Sequence, residues 1–182
     1  MLEQIWEKLK RRLVRKLLTD PHTALLRGGF SGSVIKLKYE TKINGQLFVE
    51  SQIIYRDIRL MAPVSFWMLK GEWTEPEDAI IDTGSHVSVI PCYIWTNVHH
   101  SFISDEIEMG IGGNIITGRL GWVTLRLHDE ETISPPLSVK ANLIDDDSMP
   151  LILGFEDVIT EVILVSDFQQ SIAYIIFRRR GI

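Results

Sequence analysis

Apolar positions along this chain change their period once. From Leu2 to Leu18 they recur every fourth residue, at Ile5, Leu9, Leu13 and Leu17, joined by Trp6, Val14 and Leu18. Lys8, Arg11, Arg12, Arg15 and Lys16 lie mostly off that stripe. The spacing predicts an amphipathic helix over residues 2–19. Asp20-Pro21 ends it, because a residue preceding proline is driven out of the helical region. After Arg27-Gly28-Gly29 the texture becomes strand-like. Residues 33–39 alternate, Asn44-Gly45 supplies a hairpin turn, and residues 47–60 return with strand-forming side chains. Together these make an N-terminal extension over residues 1–60, a helix followed by a β-hairpin.

Residues 61–182 form the second unit. Strands are predicted at 63–69, at 79–81 after a polar connection, and at 87–90. A short irregular or helical piece follows at 91–100. Trp122 to Leu127 alternates clearly and Leu137 to Ile144 less so. Residues 155–164 show helical spacing before a last strand at 171–177. The expected fold is mainly β with one late helix, with neither internal repeats nor low-complexity segments.

Of 182 residues, 45% are apolar, enough to bury a core in one domain with an extension. The longest apolar run, Ile172 to Phe177, is far short of the roughly 20 residues that span a bilayer. Charges recurring from Glu3 to Lys16 leave no apolar core for a secretory signal. Cys92 is the sole cysteine, which excludes an internal disulfide. Both point to a cytoplasmic protein. Residues 1–30 carry seven Lys or Arg against three acids, a net +4, so the remainder holds −9 of the overall −5. An acidic body argues against nucleic acid as a ligand, since phosphate neutralisation needs clustered cations. The basic helix suits either packing on the body or contact with an anionic membrane or a partner.

The chemistry concentrates at Asp82-Thr83-Gly84-Ser85. An apolar strand, Ala79-Ile80-Ile81, delivers one carboxylate to a tight turn; Gly84 lets the backbone turn and the Thr83 and Ser85 hydroxyls are able to hydrogen-bond around the carboxylate. The same residues also suit an ordinary turn in which Asp bonds its own backbone. Two more motifs follow in order: Gly110-Ile111-Gly112-Gly113-Asn114 before a strand, and Ile152-Leu153-Gly154 after one. The first lacks the last glycine of a phosphate-binding loop, where Ile115 stands. Cys92, His99 and His100 lack metal-ligand spacing, and Asp145-Asp146-Asp147 reads as a solvated loop. No metal or other cofactor is implied.

In this order the three motifs resemble the retropepsin-like aspartic peptidases, over about residues 60–178. The resemblance implies a closed β-barrel with Asp82 as the catalytic acid, supported by Thr83, Gly84 and Ser85. It also implies a substrate-binding flap at Gly110, Ile111, Gly112, Gly113 and Asn114. Peptide hydrolysis of this kind needs two carboxylates that share a proton, one activating water and the other donating to the carbonyl oxygen. The chain has no second Asp-Thr-Gly, so the implied enzyme is a homodimer acting on polypeptide below neutral pH, with both Asp82 residues on the two-fold axis. Phe155 departs from the family, whose retroviral members commonly place Arg there. That departure and the large extension leave open a catalytically weak, dimeric peptide-binding domain, and the helix also suits an inhibitory segment removed on maturation.

Overall fold

A computed structural model describes residues 32–43, 45–111 and 114–177; the helix expected at 2–19 lies outside the described residues. The fold is mainly β. Its strands are β1 (Val34–Ile43), β2 (Arg56–Phe66), β3 (Glu77–Ile81), β4 (Ser88–Ile90), β5 (His100–Phe102), β6 (Ile107–Ile111), β7 (Asn114–Leu127), β8 (Leu137–Ile144), β9 (Ile152–Leu153), β10 (Val162–Asp167) and β11 (Ile172–Phe177). Two short helices, α1 (Gly45–Ser51) and α2 (Cys92–Trp95), and a 3-10 turn at Ile159–Glu161 complete the described elements.

Strand neighbours run β10-β11-β1-β2-β3-β9-β4-β8-β7-β5, and a further pairing of β2 with β7 closes β2, β3, β9, β4, β8 and β7 into a ring. The core fills this ring and extends under β1 and β11. Its fully buried members include Ile35, Phe66, Leu125, Leu127, Leu143, Leu153 and Ile175. Alternation explains the sidedness: in β8, Val139, Ala141 and Leu143 are buried while Ser138 is exposed.

β2 is one strand through the expected boundary at 60–61. Its first half pairs with β1 from Arg56 to Met61, and its second half pairs with β7 from Val64. Pro63 falls between the two partnerships, so its missing N–H breaks no ladder bond, and its carbonyl accepts from His128 N–H at 2.8 Å. The described strands of the extension, β1 and the first half of β2, are thus part of the same sheet, and β1 also pairs with β11.

Two expectations are corrected. β1 and β2 do form an antiparallel hairpin, but no tight Asn-Gly turn joins them. α1 occupies Gly45–Ser51, and residues 52–55 lead into β2. The late helix at 155–164 is a set of turns ending in the 3-10 turn, after which Val162–Val165 belong to β10. Their apolar spacing mimics a helix, but a β-branched run beside β11 gains a full ladder of pairs from Val162↔Phe177 to Asp167↔Ile172.

Candidate active site

Asp82 stands at the end of β3, held from both sides. Its N–H donates to Leu153 O at 3.0 Å, extending the parallel β3–β9 pairing by one residue. Its Oδ1 accepts from Gly84 N–H at 2.8 Å, the Asp-turn bond that the sequence permits. The carboxylate is half-buried, while Thr83 and Gly84 are exposed. The Ser85 hydroxyl donates to Val87 O at 2.8 Å and so braces the loop rather than the carboxylate. Among the described residues no basic side chain pairs with Asp82, and no second carboxylate is hydrogen-bonded to it.

The loop is fixed by a clamp. β3 and β4 flank the Asp turn in sequence but are not neighbours, because β9 lies between them, parallel to β3 and antiparallel to β4. Beyond β9 the chain turns back against the loop: Gly154 N–H donates to Ser88 Oγ at 3.0 Å, Phe155 N–H to Ser85 O at 2.7 Å, and Glu156 N–H to His86 O at 2.9 Å. Glycine is required at this crossing. A Cβ on Gly154 would lie 2.6 Å from Val87 C, 2.8 Å from Val87 O and 2.9 Å from Ser85 O.

On the outer rim Glu156 links the clamp to β8. Lys140 Nζ donates to Glu156 Oε1 at 2.6 Å, and His86 Nε2 lies 3.6 Å from Glu156 Oε2. That hydrogen bond raises the Lys140 pKa and, from the other side, lowers that of Glu156. Solvent screening at this exposed rim keeps the gain small. Ser88, Lys140 and Glu156 are not among the residues singled out by sequence. Ser88 carried the clearest signal, a hydroxyl beside an apolar Val89-Ile90 run, where a buried polar group needs a partner.

The glycine-rich segment forms a β-hairpin. β6 and β7 pair from Ile107↔Gly118 to Ile111↔Asn114, and the connecting Gly112 and Gly113 lie outside the described residues. At its root, Met109 and Ile116 pack with Val89, Ile144, Met149 and Ile152 in a small apolar cluster. The hairpin therefore rests on β4 and β9, the strands that frame the Asp82 loop. Gly118 makes this possible, because β7 passes there from pairing with β6 to pairing with β8; a Cβ would sit 2.5 Å from Leu143 O and 2.8 Å from Met109 Cε.

Other candidates stand apart. Cys92 lies in α2, its thiol pKa raised by burial and by the nearby carboxylates of Asp147 and Asp145. His99 is exposed, and the His100 ring meets Trp95 edge-on. Asp147 accepts from Tyr93 N–H at 2.7 Å, within a turn. Among the described residues no group of three or more His, Cys, Asp or Glu side chains converges as a metal site requires. A cavity of about 1110 Å³, lined by Lys36, Asp78, His128, Asp129 and Tyr174 among others, includes none of the Asp82 loop. No helix among the described residues is long and apolar enough to cross a membrane. No protein-family model matches the chain and no curated protein matches it, so the loop's own geometry is the ground for a functional reading.

Proposed function

We propose that this protein is an aspartic endopeptidase with a retropepsin-like closed barrel, active as a homodimer in which each chain supplies Asp82. The observation that carries this reading is the clamped loop. An otherwise ordinary Asp turn is locked by three backbone N–H donors from residues 154–156 and by the Leu153 carbonyl, leaving one carboxylate half-buried whose hydrogen bonding among the described residues is local. Such rigidity places an acid, and a turn serving only to reverse the chain has no use for it.

One carboxylate cannot both take a proton from water and give one to a carbonyl oxygen. With two Asp82 side chains across a two-fold axis, like charges in close contact hold one proton between them. The ionised member removes a proton from water as its oxygen adds to the peptide carbonyl carbon, and the protonated member donates to the carbonyl oxygen. The resulting gem-diol collapses when its hydroxyl proton returns to a carboxylate, the C–N bond breaks, and the amine leaves protonated. The β6–β7 hairpin, rooted on β4 and β9, covers an extended substrate whose backbone pairs with strand edges. Gly110, Ile111, Gly112, Gly113 and Asn114 are the flap residues that this reading assigns to substrate binding. Thr83, exposed and with no side-chain hydrogen bond among the described residues, is available to the partner loop.

The test is cleavage of a diverse peptide mixture from acidic to neutral pH by the native chain and by Asp82→Asn. Products that appear only with the native chain and peak below neutral pH support the assignment. Identical product profiles from the two proteins refute it.

A further inference from the structure

The sheet formed by β10, β11 and the start of β1 is apolar on both faces. Residues 162–165 and the whole of β11 are unbroken apolar runs, the pattern of strands covered on both sides. Leu37, Leu164, Ala173 and Ile175 face the core. The register turns Val34, Ile163, Val165, Tyr174 and Ile176 the other way. Val34 and Ile176 are direct partners on that outward face, yet they are only 2% and 1% exposed. Trp122, outward on β7, keeps 37%. All members of the outward cluster come from β1, β10 and β11, so among the described residues no further element supplies it with an apolar cover.

We infer that residues 2–19 supply this cover, laying the stripe of Ile5, Leu9, Leu13 and Leu17 across the outward face of their own chain. The inference needs nothing from the Asp82 reading. Reach permits it. Ser33 O accepts from Phe177 N–H at 2.9 Å, so the chain enters β1 beside this face. The 13 residues from 20 to 32 extend up to about 43 Å. Size fits as well: a helix over residues 2–19 is about 27 Å long and about 10 Å wide, and three adjacent six-residue strands offer about 20 Å by 10 Å. Charge supports the same choice. Val34, Lys36 and Tyr174 of the outward face line one cavity with Lys38 and with four acids, Asp78, Asp129, Glu130 and Glu131. Residues 2–19 bring six Lys or Arg against Glu3 and Glu7. Residues 178–182, three arginines, a glycine and an isoleucine, hold no comparable apolar stripe.

The test uses the full chain and two readouts. Nuclear Overhauser contacts should join the methyls of Leu9 or Leu13 to those of Val34, Ile163 or Ile176, and in a mixture of labelled and unlabelled chains they should stay within one chain. Amide hydrogen exchange in residues 2–19 should be slow, since a helix of this length is marginal in water without packing. It should quicken at least ~10-fold in Leu9→Glu/Leu13→Glu and in Val165→Glu on the opposing face, while exchange in β7 and β8 stays unchanged. If Val165→Glu disturbs β7 and β8, the Leu9→Glu/Leu13→Glu protein, altered outside the described body, decides alone. Exchange in residues 2–19 that is as slow in Leu9→Glu/Leu13→Glu as in the native chain overturns the inference. So do methyl contacts to Val34 and Ile176 that come from Leu25, Leu26 or Phe30, or from a second chain. Residues 2–19 that exchange freely in solution and become protected only on anionic vesicles assign the segment to lipid and refute it too.

Discussion

Replacing Gly154 by alanine should damage this protein more than any comparable change on its surface. The added Cβ would approach Val87 C to 2.6 Å, and ordinary carbon contacts begin near 3.5 Å, so the clamp must open by roughly 0.9 Å. All three obstacles, Val87 C, Val87 O and Ser85 O, are backbone, so no side chain can swing away. Overpacking of this kind costs about 1–3 kcal/mol. The movement also loosens the bonds from Gly154, Phe155 and Glu156 N–H, each contributing about 1 kcal/mol. A loss of about 3 kcal/mol is expected, which for a chain of this size lowers the melting temperature by roughly 6–12 °C. Thermal and urea unfolding measure it, with Gly110→Ala as control. A Cβ at Gly110 meets nothing within 4 Å, so that variant should stay within about 0.5 kcal/mol of the native chain. If Gly154→Ala unfolds together with Gly110→Ala, the clamp is not tight and the case for a rigidly placed Asp82 fails.

Two further outcomes follow from buried polar contacts. Ser88→Ala removes the acceptor of Gly154 N–H inside the core and should cost about 1–3 kcal/mol in urea unfolding, with no change when Ser138, exposed on β8, is replaced instead. His128 is buried with Nε2 2.6 Å from Ser65 Oγ, which also accepts from Arg126 Nε at 3.1 Å; burial and then the Arg126 charge lower its pKa below 6.5. The folded state therefore favours the neutral ring. Its contribution is complete above about pH 6.5 and is lost as pH falls, with a slope of at most about 1.4 kcal/mol per unit. Melting temperature against pH should flatten between pH 7 and 5 in His128→Asn relative to the native chain.

Some of this architecture is visible in the residues and some is not. Ile80-Ile81 leading into Asp82-Thr83-Gly84 marks a buried strand and its turn, and both are present. Alternation reveals the latter half of β7, since one face of Trp122 to Leu127 is buried and the other is not. β10 escapes the same logic. Its six residues are all half-buried, so no alternation develops, and Val158, Ile159, Val162 and Ile163 fall at helical spacing by coincidence. α1 escapes because Asn44-Gly45 announces a two-residue turn, and nothing local reveals that the chain makes a helix before pairing again. β9 has two residues and no period at all. What makes it matter is its neighbours, which come from β3 and β4, far away in sequence. The clamp is invisible for the same reason. Gly154 closes a visible motif and Ser88 is a hydroxyl beside an apolar run, but nothing local pairs the two until the fold brings them to 3.0 Å.

The insertion of β9 between β3 and β4 also sets a timetable. Ser88 and the Gly154 amide that it receives are separated by 66 positions, and Asp82 takes its carbonyl partner from the same late strand. During synthesis the acidic loop leaves the ribosome early but has nothing to lean on until most of the polypeptide has followed, and contacts so distant along the chain are slow to form. A nascent chain thus carries the Asp82 loop unassembled until Leu153 and Gly154 have been made.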